Sequence, residues 1–191
     1  MVVTIRTSLA SLVAFALACS SAQASTVVDA SVPVAPYVGW VTASLVPTPD
    51  VSVDLAFDDG ICDDGVACAA VVDGRPHISL TRFAIGRRWV FLHELGHVFD
   101  ATVMTDDARA AFLKAARWHG SGGWFDGDHD AMPAEWFADA YARCAIHQRI
   151  RRARLYSTSF LPGPRSHQRV CRVIRQAAVG VYGRRALTER A

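Results

Sequence analysis

Short apolar runs alternate with polar turn residues between Val38 and Leu80. The interruptions, Pro-Thr-Pro-Asp, Asp-Asp-Gly and Asp-Gly, favour turns, whereas the runs are rich in residues that favour strands. This stretch therefore predicts three or four strands, with the sequences WVTASLV, VSVDLAF, ACAAVV and HISL.

The periodicity changes after Gly86, where apolar positions recur every three or four residues from Trp89 to Phe99. That spacing is typical of an amphipathic helix and predicts one over residues 86–101. Thr105, followed by two aspartates, is a favourable N-terminal cap with an acidic first turn that interacts well with the helix dipole. A second helix is therefore expected over residues 106–118.

A glycine-rich stretch, HGSGGWFDGDHDAM, follows these helices and predicts a loop. Pro133 then stands where a first helical turn tolerates proline, which predicts a third helix from there to about Ile150. A fourth helix is expected over residues 166–179. Strands followed by helices, with no internal repeat and no linker, indicate a single α+β domain over residues 25–191.

Composition narrows the class of protein. The chain has 191 residues, of which 51% are hydrophobic and 20% charged, so it can build one compact core, and disordered, collagen-like and coiled-coil chains are excluded. The net charge of +2 hides two opposed parts, since residues 25–139 hold 17 acids and 7 bases, whereas residues 140–191 hold 12 arginines and one acid. The chain has only three glutamates, which are Glu94, Glu135 and Glu189.

The first residues have the layout of a secretory signal peptide. Arg6 precedes an apolar run over residues 9–18, and small residues lead to a cleavage position after Ala24. A membrane-spanning helix needs about 20 apolar residues, and this run has about half that length. We therefore expect a signal peptide over residues 1–24 and an exported protein, secreted or held in the periplasm or at the cell surface.

Cys19 offers a less favoured alternative for the same segment. It follows Leu17 and Ala18 in an arrangement similar to a bacterial lipoprotein box, in which the cysteine is lipidated. Ala16 stands where that box usually has leucine, which weighs against lipidation. No other segment has the length of a membrane span, so none is expected.

Four cysteines stay after the signal peptide is removed, an even number in an oxidising compartment, which predicts two disulfides. Of the three possible pairings we favour Cys62–Cys68, which closes an Asp- and Gly-rich loop, and Cys144–Cys171, which ties two late helices together. A zinc site built from the four is a poorer interpretation, because no C-x-x-C pair is present.

The sharpest motif is His93-Glu94-Leu95-Gly96-His97, inside the first predicted helix. Residues four apart lie on one face of a helix, so both imidazoles can bind a single Zn²⁺. Glu94 falls beside the metal, where its carboxylate can accept a proton from a water molecule that the metal activates. The motif therefore predicts metal-assisted hydrolysis of an amide bond.

Zinc needs a third protein ligand. The pattern that continues with Gly and then a third His is not met, because those positions are Asp100 and Val103. Glu135 and Asp139, in the third predicted helix, are four apart and share a face. We assign Glu135 to the metal and Asp139 to the spare N–H of a bound imidazole. A solvated acidic face is less favoured, because the aromatic neighbours, such as Trp136, require this helix to bury one face.

The HELGH motif with a downstream E-x-x-x-D resembles the gluzincin branch of the zincin metallopeptidases, such as the thermolysin-like proteases. PAEWFADAYA is also similar to small bacterial zinc peptidase domains. The resemblance covers residues 74–145 and implies a zincin-like α+β domain, with a small N-terminal sheet, an active-site helix and a following helical part. It implies His93, His97 and Glu135 as zinc ligands, Glu94 as general base and Asp139 as the partner of His93.

The same resemblance implies an edge strand, just before the active-site helix, that pairs with an extended substrate. His77-Ile78-Ser79-Leu80 occupies that place. The helical part is shorter than in thermolysin-like proteases, and the Tyr and His that stabilise the oxyanion there have no evident counterparts. His129, Tyr141 and Tyr156 are candidates for polarising the scissile carbonyl, although such residues more commonly have ordinary surface or core roles.

Two further charged segments suggest binding functions less specifically than the HELGH motif does. Asp126, Asp128 and Asp130 alternate as Ca²⁺ ligands do, but they do not complete an EF-hand loop, so a solvated acidic loop is favoured. The segment RIRRARLY and the later arginines are compatible with nucleic acid, a membrane surface or a cell-wall polymer. In an exported protein we favour a charged outer face and expect no nucleic-acid partner. The later arginines are Arg169, Arg172 and Arg175.

These observations predict a secreted zinc metallopeptidase that hydrolyses peptide bonds in a peptide or protein substrate. One alternative is an exported protein without catalysis, in which the zinc site is structural and the arginine-rich helices carry an interaction. Another is a zinc amidase that acts on cell-wall material. The motif does not separate this last reaction from proteolysis, because the metal chemistry is shared.

Overall fold

A computed structural model describes most of the chain from residue 34 onward. The predicted signal peptide over residues 1–24, with Cys19, lies outside the described residues. So do His129, Asp130, Tyr156 and the RIRRARLY segment, and the predicted domain bounds stay a prediction. The described ranges are 34–49, 51–57, 62, 65–128, 132–146 and 164–188.

Three of the four predicted runs form a small mixed sheet. Its strands are β1 (Asp54–Phe57), β2 (Ala67–Val72) and β3 (Arg75–Leu80), in the order β1-β3-β2. β1 runs parallel to β3, and β2 runs antiparallel to it. Asp73 and Gly74 join β2 to β3 with φ angles of 50° and 78°, the left-handed conformations that a tight hairpin requires.

The prediction of a strand at WVTASLV is wrong. The first half of this run belongs to helix α1 (Ala35–Thr42), which has Pro36 in its first turn. Tyr37 and Val41, four residues apart, are both buried, and the Tyr37 ring lies 5.0 Å from the ring of Phe91. Packing of this helical face against the core outweighs the β-propensity of the individual residues.

The four predicted helices are present; the ends of the first three differ from the prediction by a few residues, and the last helix extends to Thr188 instead of ending at residue 179. The helix that carries the HELGH motif, α2 (Arg88–Val103), is the centre of the fold and contacts β2, β3, α1, α4 and α5. Thr105 caps the next helix as predicted, since its side chain accepts a hydrogen bond from the backbone N–H of Ala108. With the sheet, these helices confirm the α+β class. The later helices are α3 (Asp106–Ala116), α4 (Pro133–Ile146) and α5 (Pro164–Thr188).

Gly96 allows α2 and α4 to approach each other closely. A Cβ atom at this position would lie 2.9 Å from Cα of Ala138 and 3.1 Å from Cβ of Tyr141. Any side chain there would push the two helices apart. The glycine of HELGH therefore lets the two helices that carry the candidate ligands pack side by side.

The structure contains both predicted disulfides. Cys62–Cys68 fixes the start of β2, and Cys144–Cys171 joins α4 to α5. Each pair has a Cα–Cα separation of 5.5 Å, which is usual for disulfides.

α5 buries one side and exposes a row of arginines on the other. Val170, Ile174 and Ala178 belong to the core, whereas Arg165, Arg169, Arg172 and Arg175 are exposed. This part of the basic segment thus forms a charged outer face. Within the described ranges, no helix combines the length and the apolar character needed to cross a bilayer.

Candidate functional site

His93 and His97 project from the same face of α2, as their spacing predicts. Their Nε2 atoms lie 3.3 Å apart, and the ring of His93 is buried while that of His97 is half-buried. The helix thus presents two imidazole nitrogens toward one point.

Glu135 reaches the same point from the first turn of α4. Its Oε2 atom lies 3.1 Å from Nε2 of His93, and its Oε1 atom lies 3.3 Å from Nε2 of His97. The candidate ligand atoms of the three residues all lie within 4.8 Å of one another. The structure therefore brings together, from two helices, the three residues that the sequence predicts as metal ligands.

The spacing of these atoms fits a tetrahedral metal ion. Zinc binds imidazole nitrogen and carboxylate oxygen at about 2.0–2.2 Å, so two ligand atoms at tetrahedral angles stand about 3.3–3.6 Å apart. The separations of 3.1–3.3 Å come close to that range. Two imidazoles and one carboxylate can thus hold a metal ion here, with a fourth position left for water or substrate.

Asp139 lies one turn further along α4 and contacts the other nitrogen of His93. Its Oδ1 atom is 2.8 Å from Nδ1 of His93, and the carboxylate is completely buried. An Nδ1–H bond to Asp139 leaves Nε2 of His93 as the nitrogen that faces Glu135 and the candidate metal position.

Arg143 is a buried cation one further turn along α4. Burial lowers the pKa of its guanidinium, and the negative charge of Asp139 opposes that change. Its Nε and Nη2 atoms, like Oδ2 of Asp139, have no hydrogen-bond partner among the described residues. Arg143 thus supplies a positive charge behind the Asp139 carboxylate.

The titration of the cluster reflects its mixture of acids and imidazoles. Burial lowers the pKa of His93, but its hydrogen bonds with Asp139 and Glu135 outweigh this effect and raise the pKa to about 10. Burial raises the pKa of Glu135, and its hydrogen bonds with His93 and His97 reverse this and hold it well below its usual range. The hydrogen bond between His93 and Glu135 thus favours the charged form of each partner.

Glu94 faces a cavity of about 360 Å³ beside the three candidate ligands. It is buried, and it lines this cavity together with His93 and His97. A carboxylate in this place is available for proton transfer to a molecule bound in the cavity.

The expectation that residues 77–80 form the edge strand is wrong. They belong to β3, which is the central strand and pairs with both β1 and β2. β2 is the outer strand on the side of the cavity, and residues 67–71 line the cavity. The order of the strands cannot be read from the sequence alone, because the β2–β3 hairpin places the earlier strand at the edge.

Other candidates of the sequence lie elsewhere. The hydroxyl of Tyr141, a residue buried in the core, donates to the carbonyl oxygen of Pro47, 3.1 Å away, so this tyrosine does not line the cavity. Asp126 and Asp128 are exposed, in agreement with a solvated acidic loop. A second possible metal group, Cys144, His167 and Cys171, has both sulfurs joined in the disulfide, which removes them as thiolate ligands.

Sequence reasoning missed a polar cluster at the side of the cavity. Asp100 accepts hydrogen bonds from Nε of Arg109 at 2.9 Å and from Nε1 of Trp124 at 2.7 Å. Asp100 follows His97 by three positions and is nearly completely buried. The available signal was an aspartate among the apolar residues at the end of the motif helix, but its partners come from α3 and from the loop before α4, which no local pattern connects.

Comparison of the chain with protein-family models, with curated proteins and with solved structures finds no match in any of the three.

Proposed function

We propose that the chain is an exported zinc metallopeptidase of the gluzincin type. The observation that carries the proposal is the convergence of His93, His97 and Glu135 beside Glu94 at one cavity. Two histidines and one glutamate, with a fourth coordination position open to water, are a typical ligand set of catalytic zinc sites. The two disulfides support an extracytoplasmic location, because disulfides persist in oxidising compartments.

The three ligands come from two helices that pack tightly against each other. Bound zinc would supply Lewis acidity, which polarises the scissile carbonyl and acidifies a water molecule. The buried Asp139 carboxylate holds Nδ1 of His93, so this imidazole presents Nε2 in a fixed orientation. The geometry is thus held by residues that do not themselves touch a substrate.

Glu94 is the group that moves the proton. Its carboxylate takes a proton from the attacking water and delivers it to the nitrogen of the departing amine. Its position next to the ligand His93, on the cavity wall, supports this role. One residue thus serves as base in the first half of the reaction and as acid in the second.

β2 offers a place for an extended substrate. Among the described residues, no strand pairs with its outer edge, and residues 67–71 line the cavity. A peptide in extended conformation could add to this edge through backbone hydrogen bonds and lie across the three ligands. This supports hydrolysis of a peptide rather than of a small compact amide.

The test of the proposed function compares the zinc-loaded wild type with zinc-loaded Glu94→Gln on a denatured, fluorescently labelled protein. We expect the wild type to cleave it and the variant to be slower by about 10²–10⁴, because general base catalysis is lost while the ligands stay intact. Glu189→Gln, the same change at the glutamate outside the motifs, should leave the rate unchanged. Retained cleavage by Glu94→Gln with normal zinc content would exclude Glu94 as the base.

A further inference from the structure

A tight turn in the glycine-rich loop reaches the cavity beside the candidate ligands. The backbone N–H of Asp126 donates to the carbonyl oxygen of Gly123 at 3.2 Å, and Oδ2 of Asp126 accepts from the N–H of Gly123 at 2.8 Å. A Cβ atom at position 123 would lie 2.8 Å from that carboxylate oxygen, so any side chain there would displace the Asp126 carboxylate from this hydrogen bond. Trp124 and Phe125 are therefore the two central residues of a well-defined turn.

Trp124 anchors this turn to both helices that carry the candidate ligands. Its Nε1–H donates to Asp100 of α2, and its carbonyl oxygen accepts from the backbone N–H of Ala134 in α4, 3.1 Å away. Its ring lies 5.8 Å from the ring of Phe112 and 5.9 Å from that of Phe137. Because the Trp124 ring packs against the core, the side chain of the next residue, Phe125, lies at the surface.

Phe125 is that next side chain, and it is an exposed aromatic residue on the cavity wall. Its side chain is part of the lining although the residue is 62% exposed, and the same holds for Val71 of β2, at 58%. The guanidinium of Arg109, held by Asp100, lies 5.7 Å from the centre of the Phe125 ring. Exposed apolar side chains that share a concave surface mark a place where an apolar group binds.

Most of the remaining cavity wall is also apolar. Away from the candidate ligands and Glu94, the lining is formed by small or apolar residues, among them Ala69, Val98 and Met132. Asp100 is the remaining acid of the lining, and its carboxylate already accepts bonds from Arg109 and Trp124. The wall therefore offers no free counter-charge for a basic or acidic substrate side chain within the described lining.

We propose that Phe125 is a specificity-determining residue, which packs against an apolar side chain of the peptide near the bond to be cleaved. This inference rests on the proposed function. The substrate side chain covers the exposed ring, and the gain in buried apolar area favours peptides that carry a large apolar residue there. Asp100, Arg109 and Trp124 act as positioning residues that hold the turn.

The test uses Phe125→Ala and a matched control, Phe83→Ala, whose phenylalanine is 57% exposed but does not line the cavity. The substrates are pairs of quenched fluorescent peptides that differ only by Leu or Ser at one position flanking the cleaved bond. We expect Phe125→Ala to reduce the Leu-over-Ser ratio of kcat/KM by about 10-fold or more at one position, mainly through KM. Phe83→Ala should keep the wild-type ratio, and both variants should keep the wild-type Tm.

A binding measurement separates this inference from the proposed function. Zinc-loaded Glu94→Gln, with and without Phe125→Ala, is titrated with peptides of the same sequences that carry the fluorophore but no quencher, and Kd is measured by fluorescence anisotropy. If the Glu94→Gln protein binds the Leu peptide more tightly and Phe125→Ala removes this preference, the inference is supported. If the wild type nevertheless cleaves nothing, only the proposed peptidase activity is overturned. Cleavage or binding with an unchanged Leu-over-Ser ratio in Phe125→Ala would overturn the inference alone. Absence of both cleavage and binding would overturn both proposals.

Discussion

Asp139 controls the orientation of His93 through a single short contact. Its Oδ1 atom lies 2.8 Å from Nδ1 of the imidazole, and the carboxylate is completely buried. Partners of this kind fix the tautomer of a ligand histidine and raise its basicity. The contact was implied by the family resemblance, and the distance shows that this chain can make it.

Asp139→Asn should weaken zinc binding by about 10- to 100-fold, because an amide supports the Nδ1–H tautomer less well than a carboxylate. The measurement is a competition titration of zinc against a chelating dye. Asp107→Asn, the same change at an exposed aspartate in the first turn of α3, is the control and should bind zinc as the wild type does. Equal zinc affinity of Asp139→Asn and the wild type would contradict the assigned role.

A site residue could be predicted from the sequence when its position relative to the other site residues is fixed within one helix. His93 and His97 could be placed together from the sequence because four residues of helix fix their relation. Glu135 is 38 positions beyond His97 by their numbering, so its approach depends on the packing of α4, which the sequence indicated only through the face shared with Asp139 and through a resemblance. Phe125 could not be found, since its exposure on the cavity wall follows from hydrogen bonds of its neighbour Trp124.

The packing of α2 on α4 decides whether the site exists. Gly96, between the two histidines, permits this contact, since a Cβ atom would stand 2.9 Å from the backbone of Ala138. Core positions resist added volume because the interior is already close-packed. Gly96 therefore serves helix packing, whereas the two histidines and the glutamate of the motif belong to the candidate site.

Gly96→Ala should lower the free energy of unfolding by about 1–3 kcal/mol, because the added methyl group overpacks the contact between the helices. Gly39→Ala is the matched control, a glycine in α1 with open space around its Cβ direction, and it should be neutral or gain up to about 1 kcal/mol from helix propensity. Urea denaturation of both variants checks this. A Gly96→Ala protein as stable as the wild type would contradict the close contact.

Helices were predicted better than the sheet for a physical reason. The period of apolar residues marks a helix within its own segment, so the helix that carries the motif could be located from Trp89 to Phe99. The order of the strands and the secondary structure of WVTASLV depend on contacts with residues far away in the sequence. The packing of Tyr37, in α1, against Phe91 is one such contact. The error at α1 and the misplaced edge strand both arise from such long-range contacts.

The charge asymmetry of the chain has a spatial counterpart in the whole molecule. The exposed arginines of α5 lie on the outer face of a helix whose opposite side packs into the core. The buried acids Asp100, Glu135 and Asp139 belong to the centre, where each contacts a histidine or an arginine. The small net charge thus combines a basic face on α5 with a few buried acids, while other acids, such as Asp106 and Asp126, lie at the surface.

The zinc content of the purified chain tests the central claim most directly. After exposure to zinc and removal of the excess, the wild type and Glu189→Ala should each hold about one zinc ion per chain, because three ligand residues converge. Glu135→Ala should retain far less, since two imidazoles alone do not complete the site. A wild type without zinc, or a Glu135→Ala protein that retains one equivalent, would contradict the assignment.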